Sequence, residues 1–426
     1  MISQLDIANY RCFENLSLSF GEGVNLLIGD NASGKTTVIK ALGAVLNSFF
    51  SGFSDENTRY IGLEKEDFRE QISNGVLLPN LPISLTFSFL NTEASLQLHS
   101  HKGRTLQSPL KPIKELGKDF YTTLFDQGRQ RRALPLFAGF FMSDIHASRK
   151  LNESRLKQYL HRPSFGYYEC LQGDGFLGYW TTRMLVLREA NEGEQELGGV
   201  IEAIRRGLGE DGCGIIADVE VRPQKGQVYY RTCDGRMMAT HHLSDGMKRL
   251  ANIFMDIAFR CMLLNQAFYG PEACLETKGT VIIDEADLHL HPTLQAKLVK
   301  GLQAGFPKLQ FILSAHAPMI MTGVRTDERN KIYRLSFLQE ENRYQAQEIS
   351  LYGLDASTII QAALGVVPRD AGVDERLAAL FSLIDAEEYE QAQRALAVMR
   401  QEFGNQLPEL SRAESMLNFL MEELDD

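Results

Sequence analysis

The run VNLLIGDNASGKTTVIKALGAVL, residues 24–46, constrains the fold more than any other part of the chain. A short apolar stretch of strand type leads into a glycine-bearing loop, and apolar residues at helical spacing follow it. The loop fits GxxxxGK[ST] through Gly29, Gly34, Lys35 and Thr36, in the strand, loop and helix context that the motif needs. Such a unit is expected in an α/β core, with phosphate held by free loop amides and the dipole of the helix N-terminus. Asn31, Ala32, Ser33 and Thr37 belong to the same cradle, Lys35 brings a positive charge to the outer phosphates of ATP, and the Thr36 hydroxyl is a ligand for Mg²⁺.

A phosphate loop requires a distant apolar strand that ends in an acid. TVIIDE, residues 280–285, supplies one, with Asp284 on the Mg²⁺ side and Glu285 where a general base polarises water attacking the γ-phosphate. LSDGMKRL, residues 243–250, places Ser244 and Gly246 at the start of a long apolar-periodic helix. Read alone, that start is either an ordinary cap, with Ser244 or Asp245 as the capping residue, or an anion site. In DLHLHP, His289 and His291 lack a cysteine or a third ligand nearby, so they read as shaping the segment after the acids rather than as a metal pair.

The rest of the chain frames these motifs. MISQLDIANYRCFENLSLSF reads as two half-buried strands, and PISLTFSFL and ASLQLHS as a further pair. GIIADVEVR and GQVYYRT, with the CDGR turn, form a hairpin-like pattern. GTVIIDEA and LQFILSAH are short, nearly continuous apolar runs, suited to buried parallel strands, with the helix PTLQAKLVKGLQAGF between them. The tail stretches DERLAALFSLIDAEEYEQAQRALAVMRQEF and ESMLNFLMEELDD are amphipathic helical sequence joined by GNQLPELS. The expected domains are residues 1–100 and 213–350 as the two parts of a head, 101–212 as a mainly helical insertion with a basic segment, and 351–426 as an acidic helical tail that binds a partner.

Composition narrows the setting. A net charge of -11 argues against a nucleic-acid-binding field over the whole protein. Charge is unevenly placed, however: residues 101–132 hold eight Lys or Arg against three acids, while the sequence from Asp374 onward is acidic. The basic segment is by default a solvated loop; its functional reading is sequence-independent contact with a phosphate backbone. Six scattered cysteines without a CxxC pair point to buried thiols rather than disulfides or zinc. No apolar run approaches the roughly 20 residues of a membrane span, so a cytoplasmic location without membrane partners is expected.

The order of phosphate loop, LSxG helix, acidic strand and FILSAH, ending at His316, resembles the ATP-binding-cassette superfamily. Within it the chain is more similar to the RecF/SMC/OLD-like heads than to transporter cassettes, because the span from Lys35 to Ser244 is long. The resemblance implies an α/β fold: an ABC-type P-loop ATPase head with a mixed β-sheet, a helical insertion and a C-terminal helical appendage. It also implies that Arg11 approaches the nucleotide, that Tyr10 lies near the base, and that His316 senses the γ-phosphate. Ser244 and Gly246 would act in trans as signature residues, with Asp245 in place of the usual first glycine and Met247 in place of the glutamine. Asp287 corresponds to the segment that crosses the dimer interface, and the glutamine that links the lobes of such cassettes has no evident position.

The same resemblance implies a homo-oligomer built from dimers that sandwich two ATP molecules. Too few residues and no DxD pair come after His316 for the TOPRIM nuclease of OLD-like proteins. The tail instead resembles that of defence ATPases encoded beside a separate nuclease, in particular the PtuA subunits of Septu systems, whose companion is an HNH endonuclease. The expected function is slow, regulatory ATP hydrolysis that controls such a nuclease against phage or foreign DNA. Two other readings stand beside it: a RecF/SMC-type DNA-repair clamp, and a scaffold whose nucleotide is structural.

Overall fold

A computed structural model describes the chain except residues 55–57, 59, 74–75, 101–102, 126–131, 142–162, 172, 174–175, 366–368 and 426. Part of the basic segment, including Arg129 and Arg131, therefore lies outside the described residues. The chain divides into two compact units, Met1–Ile359 and Ile360–Asp426.

The first unit is organised by two sheets. β1 (Ile2–Tyr10) and β2 (Phe13–Ser19) pair antiparallel, and with β6 (Ile83–Phe89) and β7 (Thr92–Leu98) they form an antiparallel sheet in the order β2-β1-β6-β7. β1 and β2 each bury a spaced set of apolar side chains, among them Leu5, Ile7, Tyr10, Leu16 and Leu18, and leave the residues between them at least partly open to solvent. A small hairpin, β4 (Glu70–Ser73) with β5 (Val76–Pro79), lies between the two pairs in sequence.

The second sheet is mixed, in the order β15-β14-β3-β13-β12-β8. Its strands β3 (Val24–Ile28), β12 (Gly279–Ile283) and β13 (Leu309–Ser314) are buried at every position, which accounts for their mainly apolar character. β3 pairs in parallel with β13, and β13 with β12, so the loops that leave these strands emerge at one edge of the sheet. Two buried amides lock the sheets together. Gln310 donates to the carbonyls of Ile2 and Gly21 and accepts from the Ile2 amide and the Thr280 hydroxyl, while Asn25 exchanges hydrogen bonds with Gly21.

One part of this sheet differs from the expectation, and another had no reading in the sequence. β8 (Leu136–Phe140), inside the stretch read as mainly helical, pairs in parallel with β12 and is wholly buried. Its five-residue apolar run is too short for periodicity to separate strand from helix. β14 (Lys331–Leu338) and β15 (Arg343–Ile349) form an antiparallel hairpin, and β14 adds to β3 on the other side. The described helices of residues 101–212 are α2 (Lys111–Phe125), α3 (Leu177–Glu189) and α4 (Glu194–Leu208). The three-stranded sheet of β9 (Ile216–Arg222), β10 (Gln227–Thr232) and β11 (Met237–Ala239) comes next.

Helix α1 (Lys35–Ser48) contacts both β13 and β6, and so bridges the two sheets. α5 (Asp245–Tyr269) is buried at nearly every position from Arg249 to Asn265, packing against α4, which also touches α6 (Pro292–Gly305). Cys170, Cys213, Cys261 and Cys274 are buried as expected, whereas Cys12 and Cys233 are only partly covered. No described helix is long and apolar enough to cross a membrane.

The second unit is a bundle of α7 (Ala371–Asp385), α8 (Tyr389–Phe403) and α9 (Pro408–Asp425). The first tail run thus breaks in two at Ala386–Glu388, where Glu387 takes a left-handed φ of 62°. Leu377, Leu380, Ile384, Ala392, Leu396, Met399, Leu410, Ala413 and Leu417 make its own hydrophobic core. Its amphipathic faces are therefore spent on one another.

Candidate functional site

The phosphate loop leaves β3 through Gly29, whose φ of 144° and closeness to the Leu335 carbonyl exclude any side chain; a Cβ there would meet that oxygen at 2.2 Å. Gly34 closes the loop at φ 96°, with the Phe13 ring 2.4 Å from where a Cβ would sit. The loop then enters α1 directly at Lys35. Asn31 and Ala32 are exposed on the loop, Ser33 is buried, and the Thr37 hydroxyl lies 3.6 Å from the Cys12 thiol.

Lys35 is 6% exposed and its Nζ donates to the carbonyls of Gly29 at 2.7 Å and Asp30 at 2.9 Å, and to the Ser33 hydroxyl at 3.4 Å. Burial pulls its pKa below the ordinary lysine value, against the opposing charges of Asp30, Asp284, Glu285 and Asp287. The ammonium thus sits inside the loop with acids from a strand some 250 residues away in its field.

Those acids come at the end of β12. The Asp284 amide donates to the Phe140 carbonyl at 2.9 Å, and the Asp284 side chain, 4% exposed, accepts from the Ser314 hydroxyl at 2.5 Å. The same Ser314 oxygen accepts from the Glu285 amide at 2.8 Å. Glu285 has a φ of 47°, a left-handed conformation uncommon for a glutamate. From α5, Arg249 Nη2 donates to the carbonyls of Asp284 at 3.0 Å and Glu285 at 2.9 Å, so the turn is held from both sides.

One cavity of about 650 Å³ collects Tyr10, Arg11, Thr36, Lys40, Asp284 and Glu285 among its lining. Arg11 is fixed there by Asp67 Oδ1, which accepts from Nε at 3.0 Å and Nη2 at 2.7 Å. Burial works against the charge on Arg11, but the neighbouring Tyr10 and Asp67 outweigh it and raise its pKa. Burial, and after it the negative charge of Asp67, raises the pKa of the Tyr10 phenol. A hydroxyl and a buried carboxylate on one wall form a hard oxygen donor set that fits Mg²⁺, and a buried ammonium beside them fits a phosphate chain.

Ser244, Gly246 and His316 do not line this cavity. Ser244 caps α5 by accepting from the Met247 amide at 3.4 Å. Asp245 does not cap: its side chain is 81% exposed, with Lys248 at 3.9 Å as its ion partner. Gly246 packs on the segment after the acids, where a Cβ would meet the His289 carbonyl at 2.6 Å. His291 caps α6, its ring accepting from the Thr293 amide at 3.4 Å, and His241 and His242 lie ring to ring at 4.0 Å. Asp287, expected at an interface between copies, is engaged within its own chain, where Oδ2 accepts from the amides of His316 at 3.1 Å and Ala317 at 2.8 Å. No group of three or more metal-ligating side chains occurs among the described residues.

The sequence is similar to several known proteins. An AAA domain family matches residues 4–162. Retron Vc95 probable ATPase of Vibrio cholerae serotype O1 biovar El Tor is 22% identical, covering 79% of this chain and 74% of that protein. Retron Ec83 probable ATPase of Escherichia coli is 22% identical over 95% of this chain and 84% of its own length. Septu protein PtuA of Bacillus thuringiensis is 22% identical over 89% and 86%. The chain is similar to ATPases of the RecF/SMC/OLD-like branch, Septu PtuA and the retron ATPases among them. The chain carries the phosphate loop on β3 and the acids on β12, both parallel neighbours of β13, and the match to the Ec83 ATPase takes in most of its tail. A solved SMC head bound to the C-winged helix domain of ScpA aligns with a TM-score of 0.47 at 15% identity, over 82% of this chain and 98% of that one.

Three residues of the site escaped the sequence reading. Ser314 and Arg249 stood inside quoted motifs, FILSAH and LSDGMKRL, without an assigned role. Asp67 carried no signal, because its partner Arg11 is 56 residues away.

Proposed function

We propose that this chain binds and hydrolyses ATP, dimerises around it, and uses that cycle to control a partner nuclease that acts on DNA. The observation that carries the reading is the shared wall of Thr36, Asp284 and Glu285 in one cavity, with Arg11 also in its lining and Lys35 buried in the loop. Lys35 and the amides of Asn31, Ala32, Ser33, Gly34 and Thr37 hold the phosphates. Thr36 and Asp284 hold Mg²⁺, which supplies charge neutralisation at the β- and γ-phosphates when bound. Glu285 takes a proton from the attacking water, and His316, with Ser244 and Gly246 of a second copy, reads the γ-phosphate.

The dimer rests on the resemblance to RecF/SMC-like heads, in which a second copy supplies the signature contacts, here Ser244 and Gly246. The similarity to Septu PtuA and to retron ATPases supports a defence role, and the acidic tail supports a partner: residues 360–426 hold 14 Asp or Glu against five Arg. Because those helices already bury their apolar faces in a common core, the partner meets a largely charged surface.

The test is light scattering on the protein with and without Mg²⁺-ATP, and then a search of the neighbouring genes for an HNH nuclease and co-purification with it. Nucleotide-dependent doubling of mass, and loss of the nuclease on deleting residues after Asp370, are the expected results. A mass that ignores ATP, or a nuclease retained by the truncated chain, contradicts the dimer or the tail assignment respectively.

A further inference from the structure

Helix α2 carries a charge pattern that the ATP site does not use. Lys111, Lys114 and Lys118, at spacings of three and four, fall on one stripe and are all exposed, while Ile113 and Gly117 are buried. The two acids on the helix are already engaged: Glu115 by Lys111 at 3.7 Å and Asp119 by Arg132 at 2.7 Å. Among the described residues, Lys114 and Lys118 form no ion pair. In a chain of net charge -11, this is a local surplus of positive charge on a rigid element.

The helix is also joined to the helix of the phosphate loop. Gly117 lies so close to the turn that ends α1 that a Cβ would come within 2.1 Å of the Phe49 carbonyl, and one on Gly52 would come within 2.2 Å of the Lys114 carbonyl. Phe49 and Phe120 pack with ring centroids 5.6 Å apart. Lys114 thus lies where the backbone of α2 crosses the end of α1, and α2 cannot tilt without moving that end.

We propose that the lysine edge of α2 is a docking surface for the phosphate backbone of duplex DNA. It rests on the proposed control of a DNA-acting nuclease and deepens it by naming where DNA lies. From Lys111 to Lys118 the stripe spans about 10 Å of helix, a length over which a duplex offers about six phosphates. Lysine ammonium groups on exposed stems suit such contacts, which position a duplex without reading its sequence. Binding there would be reported to the nucleotide site through the crossing at Gly52 and Gly117.

The experiment measures binding of a fluorescein-labelled duplex of about 30 base pairs by anisotropy across a salt series, without nucleotide, so that the result does not depend on the ATP site. Changing Lys111, Lys114 and Lys118 together to Ala is expected to weaken binding at least about tenfold and to lower the slope of log K against log salt by about 2 to 3. The triple Lys→Arg variant should bind like the parent, which separates charge from folding. Lys35→Ala should leave duplex binding intact, so loss of ATP binding and loss of DNA binding are distinguishable. The proposal is overturned if the parent does not bind the duplex, if the Ala variant keeps the parental slope, or if poly-glutamate competes as well as DNA, which would mark an acidic protein as the occupant.

Discussion

The Ser314 hydroxyl donates to Asp284 at 2.5 Å and its oxygen accepts from the Glu285 amide at 2.8 Å, so one buried side chain on β13 sets the acids at the end of β12. The two strands are neighbours in the sheet, and their register places Ile283 beside Leu313. Asp284, the candidate Mg²⁺ ligand, and Glu285, the candidate base, are therefore aimed by the sheet itself.

Ser314→Ala removes a donor and an acceptor at once and leaves the Glu285 amide without its partner. A buried orphan of this kind costs about 1–3 kcal/mol. We expect a lower melting temperature, ATP binding retained, and a larger loss in hydrolysis rate than in ATP affinity. Parallel calorimetry and steady-state phosphate release check this; equal losses in both would mean that Ser314 supports binding rather than the alignment of Glu285.

Gly246→Ala puts a methyl group 2.6 Å from the His289 carbonyl. Because that contact lies within one chain, the variant is expected to lose about 1–3 kcal/mol of stability even as a monomer without nucleotide. Chemical denaturation in dilute, ATP-free solution measures it. An unchanged midpoint would show that the glycine is needed only between copies.

The pH behaviour of Lys35 is set by its burial. Its pKa in the fold is below the ordinary lysine value of 10.5, so between the two values the unfolded chain holds more protons and nucleotide-free stability rises with pH. Phosphate binding restores the charged form, so ATP binding takes up protons and its affinity falls as pH climbs through the same alkaline window. Calorimetric titration in buffers of different ionisation enthalpy reads the uptake directly, and a binding heat that does not change with the buffer would contradict it.

Much of the site was legible because its motifs are local. Gly29, Gly34, Lys35 and Thr36 act within eight residues, and each is there for a reason a sequence displays: a left-handed backbone, a charge, a hydroxyl. The strands β3, β12 and β13 were legible from their short, mainly apolar runs. What sequence could not supply are pairings made across the fold. Ser314 meets Asp284 across 30 positions and Arg249 meets it across 35, and nothing in either local pattern names the partner. β8 was lost for a related reason, since only its pairing with β12 makes LFAGF a strand. Asp287 is a further case: Oδ2 of its carboxylate accepts from the amides of His316 and Ala317, a pairing that no local pattern announces.

The role of Glu285 is tested most directly by the Glu285→Gln variant, assayed for ATP binding and for steady-state hydrolysis on one preparation. The change keeps size and hydrogen-bonding capacity while removing the base, whose contribution is expected to be about 100-fold or more. Mg²⁺-ATP is expected still to bind, hydrolysis to fall by at least that factor, and nucleotide-dependent dimers to accumulate. Hydrolysis at the parental rate would contradict this mechanism, because Glu285 would then have no part in the chemistry.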